Sequence, residues 1–221
     1  MARGTLANRL GLPAERAPRV LVIGAHPDDA EIGAAGTIGR LVSERPDAAF
    51  TWLVLAASDA PRAVEARMSA ERLLAGATVN QIDIRGLRDG FLPFIGPAPK
   101  DALLDHAQTD PDLIFAPRLD DAHQDHRLIA ELARQVFRRG TILEYDVPKW
   151  EGGLGSANLY VPLTEAEAAG KVAHLIASFP SQRDRYWFSE DTFRAVIRLR
   201  GIECRAPEGS AEAFICRKLV L

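Results

Sequence analysis

The chain alternates between short, wholly apolar runs and longer stretches in which apolar residues return every three or four positions. Val20-Leu21-Val22-Ile23 is apolar throughout, the pattern of a strand buried on both faces. Further strands are predicted over 50–57, 81–84, 112–117 and 141–147, with Thr51, Trp52 and Val54 suited to the first of these. Helices are predicted between them, over 32–44, 63–75, 100–108 and 126–138. Ile38, Leu41 and Val42 fall on one side of the first, which stops before Pro46, and Gly76 stops the second. Such alternation defines βαβ units, hence an α/β fold with a mostly parallel sheet and helices on both faces.

After Pro148 the pattern changes. A glycine-rich loop over 151–158 leads to a strand at 159–162, and Thr164 with Glu167 forms a capping box for a helix reaching about Phe179. Another helix is predicted over 190–200 and a last strand over 213–219. Residues 1–18, broken by Pro13 and Pro18, read as a loose arm or a short helix. No repeat or low-complexity tract divides the chain, so 1–221 is read as a single domain.

Composition narrows the functional classes. A chain of 221 residues can bury about 70–75% of its unfolded surface without a disulfide or structural metal. A net charge of −3 argues against a nucleic-acid binder, which would show a basic stripe, and leaves a small molecule as the expected partner. Cys204 and Cys216 form no CxxC pair and read as reduced structural thiols. Met1–Arg19 lacks the apolar core of a signal peptide, and no segment approaches the ~18 apolar residues of a membrane span. A cytoplasmic protein is the expectation, with oligomeric state open and a homo-oligomer included.

Chemistry concentrates in two loops. Gly24-Ala25-His26-Pro27-Asp28-Asp29-Ala30-Glu31 directly follows the first strand. Three carboxylates and an imidazole within six residues cost repulsion and desolvation unless a cation or specific partners offset them. The small residues Gly33, Ala34, Ala35 and Gly36 then allow close approach. Pro117-Arg118-Leu119-Asp120-Asp121-Ala122-His123-Gln124-Asp125-His126 likewise leaves a buried strand and enters a helix. In open α/β sheets, sites form at the carboxyl ends of strands where strand order reverses. Were strands 20–25 and 112–117 neighbours across that point, His26, Asp28, Asp29, His123, Asp125 and His126 would converge from about a hundred residues apart.

Two imidazoles and one carboxylate with open positions suit Zn²⁺, and equally Fe²⁺. Zinc lowers the pKa of its water to about 7. A carboxylate off the metal would serve as general base, and a second histidine off the metal would stabilise an oxyanion or protonate a leaving amine. The parts list is that of metal-assisted hydrolysis of an amide or ester.

Ala25-His26-Pro27-Asp28-Asp29-Ala30-Glu31, paired with Asp121-Ala122-His123-Gln124-Asp125-His126, resembles the PIG-L or LmbE-like family of zinc-dependent N-deacetylases. Its pattern is AHPDD with a nearby Glu, then HxDH about a hundred residues later. Weaker likeness extends through Arg62-x-x-Glu65-Ala66, Arg88-Asp89-Gly90, Ser181-Gln182 and Ala211-Glu212-Ala213-Phe214, while Ala35 replaces a glycine common in the family. The resemblance implies a Rossmann-like three-layer sandwich with C-terminal helices and an added terminal strand. It implies that His26, Asp29 and His126 ligate zinc and that Asp28 is the general base. His123 would polarise the carbonyl and assist departure of the amine, with Asp125 orienting it. The implied substrate is a small-molecule amino-sugar conjugate, N-acetylglucosamine linked to an aglycone.

Some positions keep two readings. Asp28 would also cap the following helix, and Asp125 would also serve as a first-turn acid. Arg62 is a candidate for a substrate hydroxyl or carboxylate, or an exposed helix arginine; Asp89 is a candidate for sugar hydroxyls at the rim. Arg183, Arg185, Arg194, Arg198 and Arg200, near Tyr186-Trp187-Phe188, read as a solvated face or as a rim that stacks a sugar. His106 and His174 read as structural. Among other classes, a zinc amidase with a different amide substrate fits the same residues. A nucleotide-binding Rossmann protein does not, because the first βα turn is acidic and Gly152, Gly153 and Gly155 form no phosphate-binding fingerprint. A ferrous oxygenase would need a co-substrate that nothing in the sequence suggests.

Overall fold

The computed structural model describes residues 4–152 and 154–219. A short helix α1 (Leu6–Arg9) precedes β1 (Arg19–Gly24), α2 (Asp29–Glu44), β2 (Ala49–Val54), α3 (Ala60–Leu73) and β3 (Val79–Ile84). The chain continues through α4 (Ala98–Leu104), β4 (Leu113–Pro117), α5 (Gln124–Val136) and β5 (Thr141–Tyr145). Then come β6 (Leu159–Leu163), α6 (Glu165–Ser178), α7 (Glu190–Glu203) and β7 (Ser210–Cys216). The sheet runs β3-β2-β1-β4-β5-β7-β6: the first five strands are parallel, and β7 inserts antiparallel between β5 and β6. This is the three-layer α/β sandwich expected from the residue pattern. No helix among the described residues is long and apolar enough to cross a membrane.

β1 explains the layering. Val20 and Val22 join Ile38, Trp52, Phe115, Tyr145 and Phe214 in a core that also takes in α3, α6 and α7. Leu21 and Ile23 join Leu53, Leu103, Ile114, Ile129 and Phe137 in the opposite core, under α4 and α5. A strand covered on both faces has no polar alternation to show, hence its unbroken apolar run.

β1 pairs in parallel with β2 on one side and with β4 on the other, Val20 opposite Leu113 and Val22 opposite Phe115. Strand order reverses between them, so the loops after β1 and β4 flank one crevice. The neighbour relation that convergence required is present.

α2 approaches the sheet closely because of its small residues. A Cβ on Gly33 would lie 2.3 Å from the Tyr145 ring, and the Tyr145 hydroxyl donates to Ile23 O at 2.6 Å. The buried Glu212 of β7 accepts the N–H groups of Gly36 and Thr37 at 2.9 and 2.6 Å and pairs with Lys171 Nζ at 2.6 Å. A buried ion pair supplied with further donors is the arrangement that offsets its own desolvation.

Element ends depart from the residue pattern where polar side chains are buried or bonded. β7 begins at Ser210 and ends at Cys216, three residues earlier than the strand read at 213–219, because Gly209 at φ 77° turns the chain and Glu212 has its partner inside. α2 begins at Asp29, which makes an acidic first turn favourable at a helix N-terminus. β2 ends at Val54; beyond it an isolated bridge joins Ala56 to Gly86, and the Leu55 and Ala56 N–H groups still donate to Gly24 O and Ala25 O. α4 ends at Leu104, and the buried His106 lies 2.9 Å from Asp83 Oδ2. The Thr164–Glu167 capping box forms as expected.

Asp146, just past β5, lies between the guanidinium groups of Arg118 and Arg200, and Arg200 also donates to Gly155 O at 2.7 Å. A Cβ on Gly155 would lie 2.2 Å from Arg118 Nη2. The root of the loop carrying Lys149, Trp150 and Glu151 is thereby held at both ends.

Glu31, 1% exposed, accepts from Ser69 Oγ at 2.6 Å, and that hydroxyl lies 2.8 Å from His174 Nε2. Burial lifts the Glu31 carboxyl to about 8 and lowers His174 to about 4, so both are neutral near pH 7. A carboxyl whose folded pKa is raised contributes stability below its unfolded pKa and loses it as pH rises toward the folded value. Glu31→Gln should therefore gain on the native protein by about 1.4 kcal/mol per pH unit between pH 5 and 8. Denaturant unfolding of both proteins across that range checks this; a constant difference would show Glu31 to be ionised.

Candidate metal centre

The sequence at the end of β1 forces a tight turn. A Cβ on Gly24 would lie 2.9 Å from His26 O, so the chain needs glycine there. Asp28 takes a left-handed conformation, φ 86° and ψ −21°, which costs a non-glycine residue on the order of 1–3 kcal/mol and marks a functional constraint. This turn starts α2 at Asp29, whose Oδ2 accepts the His26 backbone N–H at 2.7 Å. After β4, His123 caps α5, its Nδ1 accepting the Asp125 backbone N–H at 3.2 Å.

Three atoms meet across the crevice. His26 Nδ1 is 3.2 Å from His126 Nε2, His126 Nε2 is 3.1 Å from Asp29 Oδ2, and His26 Nδ1 is 3.4 Å from Asp29 Oδ2. Ligand atoms around a tetrahedral ion with bonds of about 2.0–2.1 Å lie about 3.3–3.4 Å apart. The outer nitrogens are engaged by carboxylates: His26 Nε2 lies 3.1 Å from Asp125 Oδ2 and 3.0 Å from Asp89 Oδ1, and His126 Nδ1 lies 3.1 Å from Asp121 Oδ2. With each outer nitrogen donating, the inner pair carries lone pairs, and three acceptors converge with no donor among them. Only a cation or added protons can reconcile them. The donor set fits a divalent metal, with the outer carboxylates fixing tautomer and ring orientation.

Electrostatics agree. Burial opposes a charged ring at His26 and His126, yet Asp29 and their outer carboxylates raise both above the ordinary imidazole value. Burial would raise Asp29, but His126 and His26 hold it well below the usual carboxylate range. Asp28 stands off the triangle and is pushed up to about 7, chiefly by burial and further by Asp29, against the opposing charge of Arg62. Burial, then the neighbouring rings of His26 and His126, lowers His123.

The positions singled out in the sequence distribute as follows. His26, Asp29 and His126 form the triangle, with Asp28 beside it. The His123 ring packs edge-on to His26 with centroids 4.8 Å apart, and one of its nitrogens comes within 4.8 Å of those of His26 and His126. Asp125 corrects its expected role: its carboxylate lies on His26 and accepts from Gly90 N at 2.8 Å and Leu92 N at 3.2 Å, so only its backbone orients His123. Arg62 donates to Pro27 O at 2.5 Å and to Asp28 Oδ2 at 3.3 Å, which holds the Asp28 carboxylate, and it also lines the cleft. Asp89, 71% exposed at its side chain, touches the outer nitrogen of His26 from the rim.

Sequence reasoning assigned no role to Asp121 or Lys149. Lys149 Nζ donates to both Asp121 oxygens at 2.8 Å and comes within 2.9 Å of His126 Nδ1; the carboxylate takes protons from both. Burial would raise Asp121, but His126 and Lys149 together hold it at about 2. Asp121 lay inside the second motif, whereas Lys149 follows a different strand and had no linear signal. Asp59, Trp150, Arg185 and Trp187 also line the cleft, which encloses about 360 Å³.

An open parallel sheet whose switch point carries a donor set that fits a divalent metal is a class of α/β fold, and the comparisons with known proteins narrow it. The family described as "PIG-L: GlcNAc-PI de-N-acetylase" matches residues 21–137, more than half of the chain and both loops of the centre. The chain belongs to this family, hydrolases that act on amide bonds. Among solved structures it is similar to an N,N'-diacetylchitobiose deacetylase from Pyrococcus horikoshii, with TM-score 0.72, 22% identity, and coverage of 96% of this chain and 89% of that one. It is also similar to GalB, the 4-carboxy-2-hydroxymuconate hydratase from Pseudomonas putida KT2440, with TM-score 0.71, 16% identity and coverage of 92% and 98%. A zinc-inhibited form of teicoplanin deacetylase Orf2 gives TM-score 0.68, 14% identity and coverage of 90% and 97%. At these identities the likeness is one of fold. No curated protein matches the sequence.

Metal analysis tests the triangle. The purified protein should bind about one zinc per chain, and His126→Ala should abolish binding. Asp121→Ala should weaken it by roughly 10–100-fold, the cost of losing an outer partner. Full retention of metal by His126→Ala would disprove the assignment.

Proposed function

We propose that the chain is a zinc-dependent N-deacetylase that removes acetyl from an N-acetylglucosamine-type conjugate, releasing acetate and a free amine. The observation that carries this reading is a buried carboxylate, Asp28, held by Arg62 beside a metal-ligand triangle, with the His123 ring outside that triangle packed against His26. His26, Asp29 and His126 would hold the ion. When bound, zinc supplies a Lewis acid that brings water toward deprotonation at neutral pH.

The chain's own residues supply the rest. Asp28, held by its left-handed turn and by Arg62, takes the proton of the attacking water. Having taken that proton, it can pass it to the nitrogen that leaves. Acceptance of the Asp125 N–H at Nδ1 places the His123 proton on Nε2, where it donates to the oxygen of the former carbonyl. His123 is thus an electrophilic donor, and Asp28 carries the proton through both halves of the reaction. Asp89 and the remaining donors of Arg62 face the sugar hydroxyls.

A second reading follows from the hydratase of the same fold: the same water could add to an activated double bond. Acetate release separates the two. The metal-loaded protein should liberate acetate from N-acetylglucosamine conjugates, and Asp28→Asn should lower kcat by roughly 10²–10⁴ with metal content unchanged. Asparagine tolerates the left-handed turn, so the fold is kept. Full activity in Asp28→Asn would remove it as the base.

A further inference from the structure

Two of the most exposed large aromatic side chains lie together at the mouth of the cleft. Trp150 is 68% and Tyr186 89% exposed, and their rings are near-parallel, 22° apart with centroids separated by 6.4 Å. They come from loops distant in sequence, and each loop is tied down. Lys149, next to Trp150, is bonded to Asp121 behind the metal triangle, and Asp146 roots the same loop between Arg118 and Arg200. On the other side, Ser181 bonds Glu65 of α3 through its N–H at 2.8 Å and its hydroxyl, and Arg183 donates to Ile176 O at 2.9 Å. Trp150 itself lines the cleft that holds His26 and Asp28.

Leaving two large rings in water forgoes the burial that the rest of the core achieves, and an exposed aromatic patch continuous with a reaction cleft marks a contact surface. The charges beside the patch are mixed, Arg185 against Glu151, so nothing there selects a strongly anionic group. We propose that Trp150 and Tyr186 form a stacking subsite for a second ring of the substrate, one joined to the amino sugar and presenting a flat apolar face, either a pyranose or an aryl group. The assignment rests on the deacetylase reading and specifies its substrate class as ring-extended conjugates rather than the free amino sugar.

Calorimetric titration of the zinc-loaded Asp28→Asn protein measures binding without turnover. N,N'-diacetylchitobiose or an aryl N-acetylglucosaminide should bind roughly ten-fold more tightly than N-acetylglucosamine, as an added aromatic contact allows. Preference for the disaccharide alone assigns a pyranose, and preference for the aryl compound alone an aryl group. Tyr186→Ala, at an exposed position outside the cleft lining, should erase the preference while leaving N-acetylglucosamine binding unchanged; Trp150→Ala should also erase the preference, and Trp150→Phe should restore much of it. Equal affinity for all three ligands, or a preference that survives both alanine variants, would overturn the subsite. An aryl glucoside lacking the acetamido group separates this from the parent reading. If no N-acetyl compound is hydrolysed, the deacetylase assignment fails, while loss of aryl-glucoside binding in Trp150→Ala still supports the subsite and unchanged binding still sinks it.

Discussion

The parallel pairing of β1 with β4 is the contact on which the site depends. It is a backbone ladder between apolar strands, yet it sets the distance between two loops that begin about ninety residues apart. Each strand ends in a turn that starts a helix, and the helices leave on opposite faces of the sheet. The crevice between them is therefore open at the carboxyl ends, where His26 and Asp29 meet His126. A different strand order would leave both motifs intact and part their side chains.

The electrostatics follow from that meeting. Asp29 and the two inner imidazole nitrogens form a buried set of acceptors, and the surrounding carboxylates Asp121, Asp125 and Asp89 reinforce its demand for positive charge. Structural devices hold it together: Lys149 neutralises Asp121, the loop N–H groups of Gly90 and Leu92 satisfy Asp125, and Arg62 sits against Asp28. Each carboxylate has its own partner, which is how so many acids share one small volume. Asp28 is the exception in its pKa. Burial outweighs its arginine and pushes it up to about 7.

The fold alone does not choose the reaction, since a hydratase and deacetylases share it. Membership in the de-N-acetylase family rests on the stretch from β1 to the end of α5, which holds the metal triangle, Asp28 and His123. The rest of the cleft's lining comes largely from elsewhere, from the loop after β5 and the turn between α6 and α7. The donor cluster and much of the remaining cleft lining thus come from different segments, one framed by parallel strands and the other by loops.

The sequence by itself determined the strands buried on both faces, the helices between them and the two acidic turns, because periodicity and loop chemistry are local. Sequence also named His26, Asp28, Asp29, His123 and His126, since ligand residues clustered after buried strands have few structural uses. Partners could not be read this way. Asp125 turned toward His26 instead of His123, Arg62 toward Asp28, and Lys149 arrived from a third loop, because a side chain's partner depends on strand order and helix rotation. The early start of β7 had the same origin: Glu212 looks like a surface residue until α2 and Lys171 close around it. Tertiary structure decided the pairing of charges, because Coulomb and hydrogen-bond energies depend on distances in space that linear spacing does not encode.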